Sequence, residues 1–150
     1  MKAVVQRCFS ASVTVEDKIT GSINKGLLVL LGAQKGDSIK EAELMADKIS
    51  KLRIFTDEND KMNLSVLDVE GSILAVSNFT LCADTKKGNR PSYSNALEPD
   101  LALDLYNKFC QRLESLGIKV EKGVFGADMQ VSMVGDGPVT VTLDTDIWVR

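Results

Sequence analysis

The chain has 150 residues, so we expect residues 1–150 to form a single domain, and 44% of them are hydrophobic, enough for a core. The formal net charge of −3 predicts no global basic field for nucleic acid, although it leaves room for a local basic patch. There is no histidine, which excludes Ser-His-Asp and Cys-His catalysis and most histidine-based zinc sites. Proton transfer must then come from a carboxylate, lysine, tyrosine, thiol, solvent or the substrate.

The N-terminal residues MKAVVQRCFS lack the pattern of a signal peptide, and the longest apolar run, 26–33, is too short to span a membrane. We therefore expect a cytoplasmic protein. Cys8, Cys82 and Cys110 are widely spaced and form no CxxC pair. Free, buried thiols are the expected outcome.

The first third of the chain predicts strands followed by a helix. Short apolar alternation over 2–23, interrupted at Gly21, predicts one or two strands and a hairpin. The continuous apolar run that follows predicts a strand buried on both faces. Ser38 and Glu41 then form the capping box of a helix. The inner face of this helix is expected to consist of Ala42, Met45, Ala46 and Ile49.

The middle of the chain predicts a polar turn over 55–66, an apolar strand over 72–77 and a long loop over 82–100. A second helix is expected to begin near Pro99 and to end at Gly117. Its inner face would consist of Leu105, Tyr106, Phe109 and Leu113.

Three further strands are predicted near 118–125, 129–134 and 138–144. Strands dominate both ends of the chain, and two helices interrupt the middle. This order favours a mixed α/β fold, rich in sheet, in which a barrel-like pair of β-sheets has two helices packed on one face.

Small and hydroxyl side chains follow the predicted strand at 72–77. Ser77, Asn78 and Thr80 offer hydrogen-bonding groups there, and the backbone N–H groups of Phe79 and Thr80 have the spacing to face a ligand oxygen. The same residues also fit a strand end that is capped by its own hydroxyls.

Two other segments offer groups that suit RNA. Lys86, Lys87 and Arg90 surround a glycine in an acidic chain, an arrangement that meets phosphates but also occurs in solvated loops. Phe125 lies between two glycines, where an aromatic ring either stacks on a base or fills the core.

A Gly-Pro pair, Gly137 and Pro138, separates two alternating apolar segments near the C-terminus. An ordinary Gly/Pro hairpin loop is one interpretation of this pattern. A cis X-Pro bond, which would form a rigid loop, is the other.

Taken together, these segments resemble D-aminoacyl-tRNA deacylase of the bacterial and eukaryotic type over essentially the whole chain. The resemblance is carried by MKAVVQR, GLLVLLG, KKGNRPSYSNA, FGADMQV and DGPVT, in the right order and spacing. The two signature motifs of that family correspond to 77–80 and 135–140. Asn78 stands where the family has glutamine, which is one methylene longer, and Gly135 stands where it has asparagine.

The resemblance implies hydrolysis of the ester that joins a D-amino acid to the terminal adenosine of tRNA, and possible action on mischarged glycyl-tRNA. It implies a homodimer in which a cis Gly137–Pro138 loop enters the partner's active site and rejects L-amino acids. Thr140 belongs to the same motif. The resemblance places catalysis at Ser77, Asn78, Phe79 and Thr80. In this interpretation backbone N–H groups stabilise the oxyanion, the ribose 2′-hydroxyl assists the reaction, and Thr80 supports the geometry of the site.

The resemblance further implies that Phe125 and Met129 line the adenosine site and that Lys86, Lys87 and Arg90 meet acceptor-stem phosphates. We expect no cofactor, no metal, and no DNA or membrane partner. The alternatives are a non-catalytic homodimeric RNA-binding module, a paralogue with relaxed or different specificity, and a thiol enzyme that uses Cys82.

Overall fold

A computed structural model describes residues 1–148 of the chain. In this range the chain forms eight β-strands and two α-helices, which confirms the mixed α/β prediction. The strands are β1 (Lys2–Val15), β2 (Lys18–Ile23), β3 (Gly26–Gly32), β4 (Phe55–Thr56), β5 (Met62–Leu64), β6 (Ser72–Ser77), β7 (Lys119–Lys122) and β8 (Gln130–Asp144). The helices are α1 (Ile39–Lys51) and α2 (Pro99–Ser115).

The long strand β1 organises the main sheet. Along one edge it pairs antiparallel with β3 and then with β2, and along the other edge it pairs antiparallel with β8. The sheet continues from β3 to β6 and β7, which run parallel to it. The strands β4 and β5 form a separate small hairpin sheet.

The sheet curls until β7 approaches β2, so the barrel is nearly closed. The Ser22 N–H donates to Glu121 Oε1 at 3.3 Å across this gap. A Cβ atom added at Gly21 would lie 2.5 Å from the Lys122 carbonyl oxygen, so only glycine permits this approach of the two backbones.

β3 is buried on both faces, which confirms its prediction. Leu27, Val29 and Leu31 face a core shared with both helices, whereas Leu28 packs in a second cluster with Leu74. Successive side chains of a strand point to opposite faces, so one apolar run supplies two cores.

The helices pack against the first core with the faces that the sequence predicts. The Ser38–Glu41 capping box is formed, with the Ser38 N–H donating to Glu41 Oε2 at 2.8 Å. An ion pair between Arg112 Nε and Asp47 Oδ1, 2.7 Å apart, joins α2 to α1. The predicted inner-face residues are all buried: Ala42, Met45, Ala46, Ile49, Leu105, Tyr106, Phe109 and Leu113. No helix in residues 1–148 is long and apolar enough to cross a membrane.

Two predictions about local structure were wrong. The polar turn at 55–66 contains the short β4–β5 hairpin. The two strands expected on either side of Gly137–Pro138 are one continuous strand, β8, because β1 pairs with it on both sides of that pair. Gln6 of β1 pairs with Thr140, but Cys8, two residues later, pairs with Gly135. Residues 136–139 therefore bulge out of the ladder.

Candidate active site

A cleft of about 1080 Å³ opens at the end of β6. Residues of β3 and β6, the loop before α2, the start of α2 and the segment 125–133 line it. Ser77, Asn78, Phe79, Thr80, Phe125 and Met129 all contribute to its wall. The cleft therefore brings together the signature strand end and the two residues that the sequence assigned to an adenosine.

The strand end is held against the sheet before it enters the cleft. The Asn78 N–H donates to the Leu31 carbonyl at 2.8 Å, and a 3₁₀ turn, Phe79–Cys82, follows immediately. Ser77 is half-buried, whereas Phe79 and Thr80 are exposed. Functional groups at the end of a buried strand are thus presented to solvent on a rigid base.

Asn78 caps this turn with its own side chain. Its Oδ1 accepts the Thr80 N–H at 3.3 Å and also accepts the Thr80 hydroxyl. The Thr80 N–H is therefore occupied, while the Phe79 N–H donates to no residue in the part of the chain that the structure describes. Of the two backbone donors that the sequence suggested for a ligand oxygen, Phe79 is the one left available.

The surroundings of Thr80 do not favour it as a nucleophile. Its hydroxyl donates to an amide oxygen, which is too weak a base to take the proton. Cys82 is no better placed, because it is buried and its Sγ donates to the Ala33 carbonyl at 3.4 Å. Burial raises the pKa of the Cys82 thiol, which keeps it protonated near neutral pH and argues against a thiol enzyme.

Another part of the cleft lining is built around Tyr106 and Phe125. Their ring centroids are 6.1 Å apart, and the Tyr106 hydroxyl donates to the Ala75 carbonyl of β6 at 2.7 Å. Burial raises the pKa of Tyr106, so the hydroxyl remains a neutral donor. Phe125 is thereby braced against the sheet, with Met129 beside it in the cleft lining.

Gly137 and Pro138 lie outside the cleft of their own chain. Both are exposed on the bulge of β8, and the bond between them is cis, as the family resemblance implies. Gly137 has φ = +137°, a backbone conformation that only glycine adopts readily. Thr140 is linked to the cleft through Gln6, whose Nε2 donates to Thr140 Oγ1 at 3.5 Å and which itself lines the cleft.

The basic residues Lys86, Lys87 and Arg90 lie on an exposed loop and do not line the cleft. An isolated antiparallel bridge closes the loop at its base, where Asp84 and Ser92 exchange backbone hydrogen bonds of 2.7 and 2.9 Å. Three cations are thus held at one tip.

The model of the family described as D-Tyr-tRNA(Tyr) deacylase matches residues 4–144 of the chain. The chain belongs to this deacylase family. The D-aminoacyl-tRNA deacylase of Koribacter versatilis is 54% identical over 145 residues, which cover 97% of each chain. That of Fusobacterium nucleatum is also 54% identical over 145 residues, covering 97% of this chain and 96% of the relative.

Among solved structures, the c-Myc DNA Unwinding Element Binding Protein shares the fold with a TM-score of 0.90 and 43% identity. The match covers 96% of this chain and 98% of that chain. The predicted resemblance to D-aminoacyl-tRNA deacylase, a hydrolase of ester bonds that acts on aminoacyl-tRNA, is therefore confirmed for the family.

The cleft of this deacylase-family chain also contains residues that the sequence analysis missed. Gln6, Tyr93, Tyr106, Glu98 and Asp128 line it together with the signature residues. They come from β1, the loop before α2, α2 itself and the segment after β7, so no local motif connects them. Within residues 1–148 no group of three or more His, Cys, Asp or Glu side chains has the arrangement of a metal site.

Proposed function

We propose that the protein hydrolyses the ester bond between a D-amino acid and the 3′-terminal adenosine of tRNA, releasing the free D-amino acid and the tRNA. The observation that carries this proposal is the cleft that Ser77–Thr80 line together with Phe125 and Met129, in a chain of the deacylase family. Mischarged glycyl-tRNA is a further substrate in this proposal, since glycine has no side chain to be rejected.

The hydrolysis needs no strongly basic or nucleophilic side chain, because an aminoacyl ester is already activated. Water attacks the carbonyl carbon, the oxygen becomes an oxyanion, and the ribose oxygen leaves with a proton. The free Phe79 N–H would stabilise the oxyanion, and Ser77, which also lines the cleft, would supply a hydroxyl. Thr80 and Asn78 hold the turn through their mutual hydrogen bonds. The ribose 2′-hydroxyl assists proton transfer in a chain without histidine.

The adenosine would occupy the wall formed by Phe125 and Met129. Phe125 is half-buried and leans on Tyr106, so its ring is held in place before a base arrives. Stacking on a fixed aromatic ring costs less conformational entropy than stacking on a mobile one.

A homodimer would complete the site. Within residues 1–148, β8 pairs with β1 alone, so the edge of β8 that faces away from β1 has no strand partner. Val134 on β8 and Phe9 on β1 leave apolar surface exposed beside this edge. A second copy that covers this surface would remove an unpaired edge and an apolar patch at once.

Chiral selection would follow from that assembly. The Gly137–Pro138 bulge is exposed and does not line the cleft of its own chain, which leaves it free to enter the cleft of a partner. Backbone carbonyls beside the chiral centre would collide with an L side chain and leave room for a D side chain. Thr140 anchors the base of this bulge through Gln6.

Lys86, Lys87 and Arg90 would contact acceptor-stem phosphates. Their exposed loop lies outside the cleft, as a contact to the body of the tRNA requires. We expect this proofreading reaction to take place in the cytoplasm, where the aminoacyl-tRNA pool is used.

The test is a comparison of single-turnover hydrolysis of D-tyrosyl-tRNA, L-tyrosyl-tRNA and glycyl-tRNA by the purified protein. We expect fast release of D-tyrosine, no acceleration for L-tyrosine and intermediate release of glycine. Binding of D-tyrosyl-tRNA without turnover would instead identify a non-catalytic RNA-binding module. Equal rates for the D and L substrates would identify a paralogue with relaxed specificity.

A further inference from the structure

Two exposed aromatic rings meet at the mouth of the cleft. Phe79 and Tyr93 have ring centroids 5.1 Å apart and planes inclined by 74°, an edge-to-face arrangement. Phe79 is 57% exposed and Tyr93 is 41% exposed, although both line the cleft. Oxyanion stabilisation uses the backbone of Phe79, so neither its phenyl ring nor Tyr93 has a role in the chemistry proposed above.

Backbone hydrogen bonds before and after Tyr93 fix its position in the loop. Immediately before it, Ser92 is bridged to Asp84, and after it the Ala96 N–H donates to the Tyr93 carbonyl at 3.0 Å. The Asp84–Ser92 bridge is also the base of the loop that carries Lys86, Lys87 and Arg90. The aromatic pair and the three cations therefore belong to one structural unit at the edge of the cleft.

We propose that Phe79 and Tyr93 bind the base of the unpaired nucleotide that immediately precedes the terminal adenosine of the tRNA. This inference rests on the proposed function, which places the adenosine against Phe125 in the same cleft. Proteins bind single-stranded nucleic acid through two kinds of contact: aromatic rings stack on the bases, and cations bind the phosphates. The unit formed by Tyr93 and the basic loop offers both kinds of contact.

The edge-to-face geometry suits this role. In an edge-to-face pair the edge of one ring covers only one face of the other, and both rings are exposed and line the cleft, so we expect a ring face to accept a flat ligand. Stacking accepts any base, since every base has a π-face, so this site would add affinity for the end of the tRNA without selecting among tRNAs.

The experiment compares two minimal substrates that differ only by this nucleotide: adenosine esterified with D-tyrosine, and the dinucleotide CpA esterified with D-tyrosine at its 3′ end. We expect the wild-type protein to hydrolyse the dinucleotide with the higher kcat/KM. Tyr93→Ala should reduce the ratio of the two kcat/KM values by about 5- to 160-fold, which corresponds to the loss of one base–aromatic stack. Tyr93→Phe, which keeps the ring, should retain the wild-type ratio.

Ile19→Ala is the matched control, because Ile19 is an exposed apolar residue of the β1–β2 hairpin that does not line the cleft. It should leave the ratio unchanged. Circular dichroism and light scattering on each variant establish folding and mass. An unchanged ratio in folded Tyr93→Ala would overturn the proposal. If Tyr93→Ala were instead a monomer with an unchanged ratio of kcat/KM values, the aromatic pair would be a subunit contact, and the proposal would also be overturned.

Failure of the proposed function has a different signature, since the wild-type protein would then hydrolyse neither substrate. Equilibrium titration with uncharged CpA and with adenosine decides the stacking proposal in that case. Weaker binding of CpA by Tyr93→Ala, with unchanged binding of adenosine, would support it. Equal binding of CpA by Tyr93→Ala and by the wild-type protein would refute it.

Discussion

Arg7 holds Asp136, the residue directly before Gly137 and Pro138. Its Nε lies 3.1 Å from Asp136 Oδ2 and donates to the Asp136 carbonyl at 3.2 Å. A terminal nitrogen of the same guanidinium donates to the Ile54 carbonyl at 2.8 Å. Because Arg7 is buried on β1, this set of contacts ties the bulge of β8 to the body of the barrel.

The first prediction concerns this anchor. Arg7→Lys should lower the free energy of unfolding by about 1–3 kcal/mol, because an ammonium group cannot reproduce the planar fork of donors. It should also lower kcat/KM for D-tyrosyl-tRNA, because the bulge loses its fixed position. Urea unfolding and single-turnover assays measure the two effects. Arg53→Lys is the control, since Arg53 is exposed and makes one side-chain hydrogen bond, to Asn63. Wild-type stability and rate in Arg7→Lys would contradict the anchor.

The second prediction concerns Thr80. Thr80→Ala should slow single-turnover hydrolysis of D-tyrosyl-tRNA by no more than about tenfold, since one lost hydrogen bond leaves the Phe79 N–H in place. Thr20→Ala, which removes an exposed hydroxyl from β2 outside the cleft, serves as the matched control. Loss of all turnover in a folded Thr80→Ala protein would instead identify Thr80 as the nucleophile.

Local signals in the sequence predicted much of the fold. The Ser38–Glu41 capping box and the apolar spacing of α1 are decided within a few residues of chain, and both are present in the structure. The continuity of β8 was missed, because it depends on pairing with β1, more than a hundred residues away. Glycine and proline predict an interruption of regular structure, but they do not show that the same strand pairing continues beyond the interruption.

The candidate site was predictable only where motifs mark it. Ser77–Thr80 and Phe125 were found from the sequence, and the structure places them in one cleft. The cap formed by Asn78 was not foreseen, since its geometry depends on the 3₁₀ turn that follows β6. Tyr93 was also missed, because its loop is held by contacts that are distant in sequence, a bridge between Gln34 and Ala96 and a hydrogen bond from the Lys35 N–H to the Asn95 carbonyl.

The third prediction concerns Asn78. Asn78→Gln should remove the cap on the Thr80 N–H, because the longer side chain does not fold back to a donor two residues away. The protein should lose about 1 kcal/mol of stability. The released N–H becomes a second donor for the oxyanion, so the rate on D-tyrosyl-tRNA should rise by up to about tenfold.

Asn78→Asp is the matched comparison for that variant, since it retains the capping oxygen and should keep wild-type stability. Thermal unfolding and single-turnover rates measure both variants. Strong impairment of Asn78→Gln would show that the cap itself is required for catalysis.

The fourth prediction is a pH dependence of stability. Burial raises the pKa of the Cys110 thiol from 9.0 to about 11. The folded state therefore keeps its proton where the unfolded state has lost it. The stability contributed by the neutral thiol is complete below the unfolded pKa and is lost as the pH rises through the folded pKa. Denaturant titrations between these two values should show a falling free energy of unfolding, with a shallower slope in Cys110→Ala. Identical slopes would contradict the assignment to Cys110.

The last prediction concerns the assembly. If the free edge of β8 forms the subunit contact, light scattering of the wild-type protein should give about twice 16.3 kDa. Val134 is 57% exposed on that edge, so Val134→Lys would place a charge from each subunit in an apolar interface.

We expect the Val134→Lys protein to be a monomer that remains folded and hydrolyses D-tyrosyl-tRNA poorly, because the Gly137–Pro138 bulge of the partner is then missing from the cleft. Ile19→Lys is the control, as Ile19 is equally apolar and 67% exposed on the β1–β2 hairpin. A Val134→Lys monomer that discriminates D- from L-tyrosyl-tRNA as well as the wild-type protein would show that chiral selection lies within one chain.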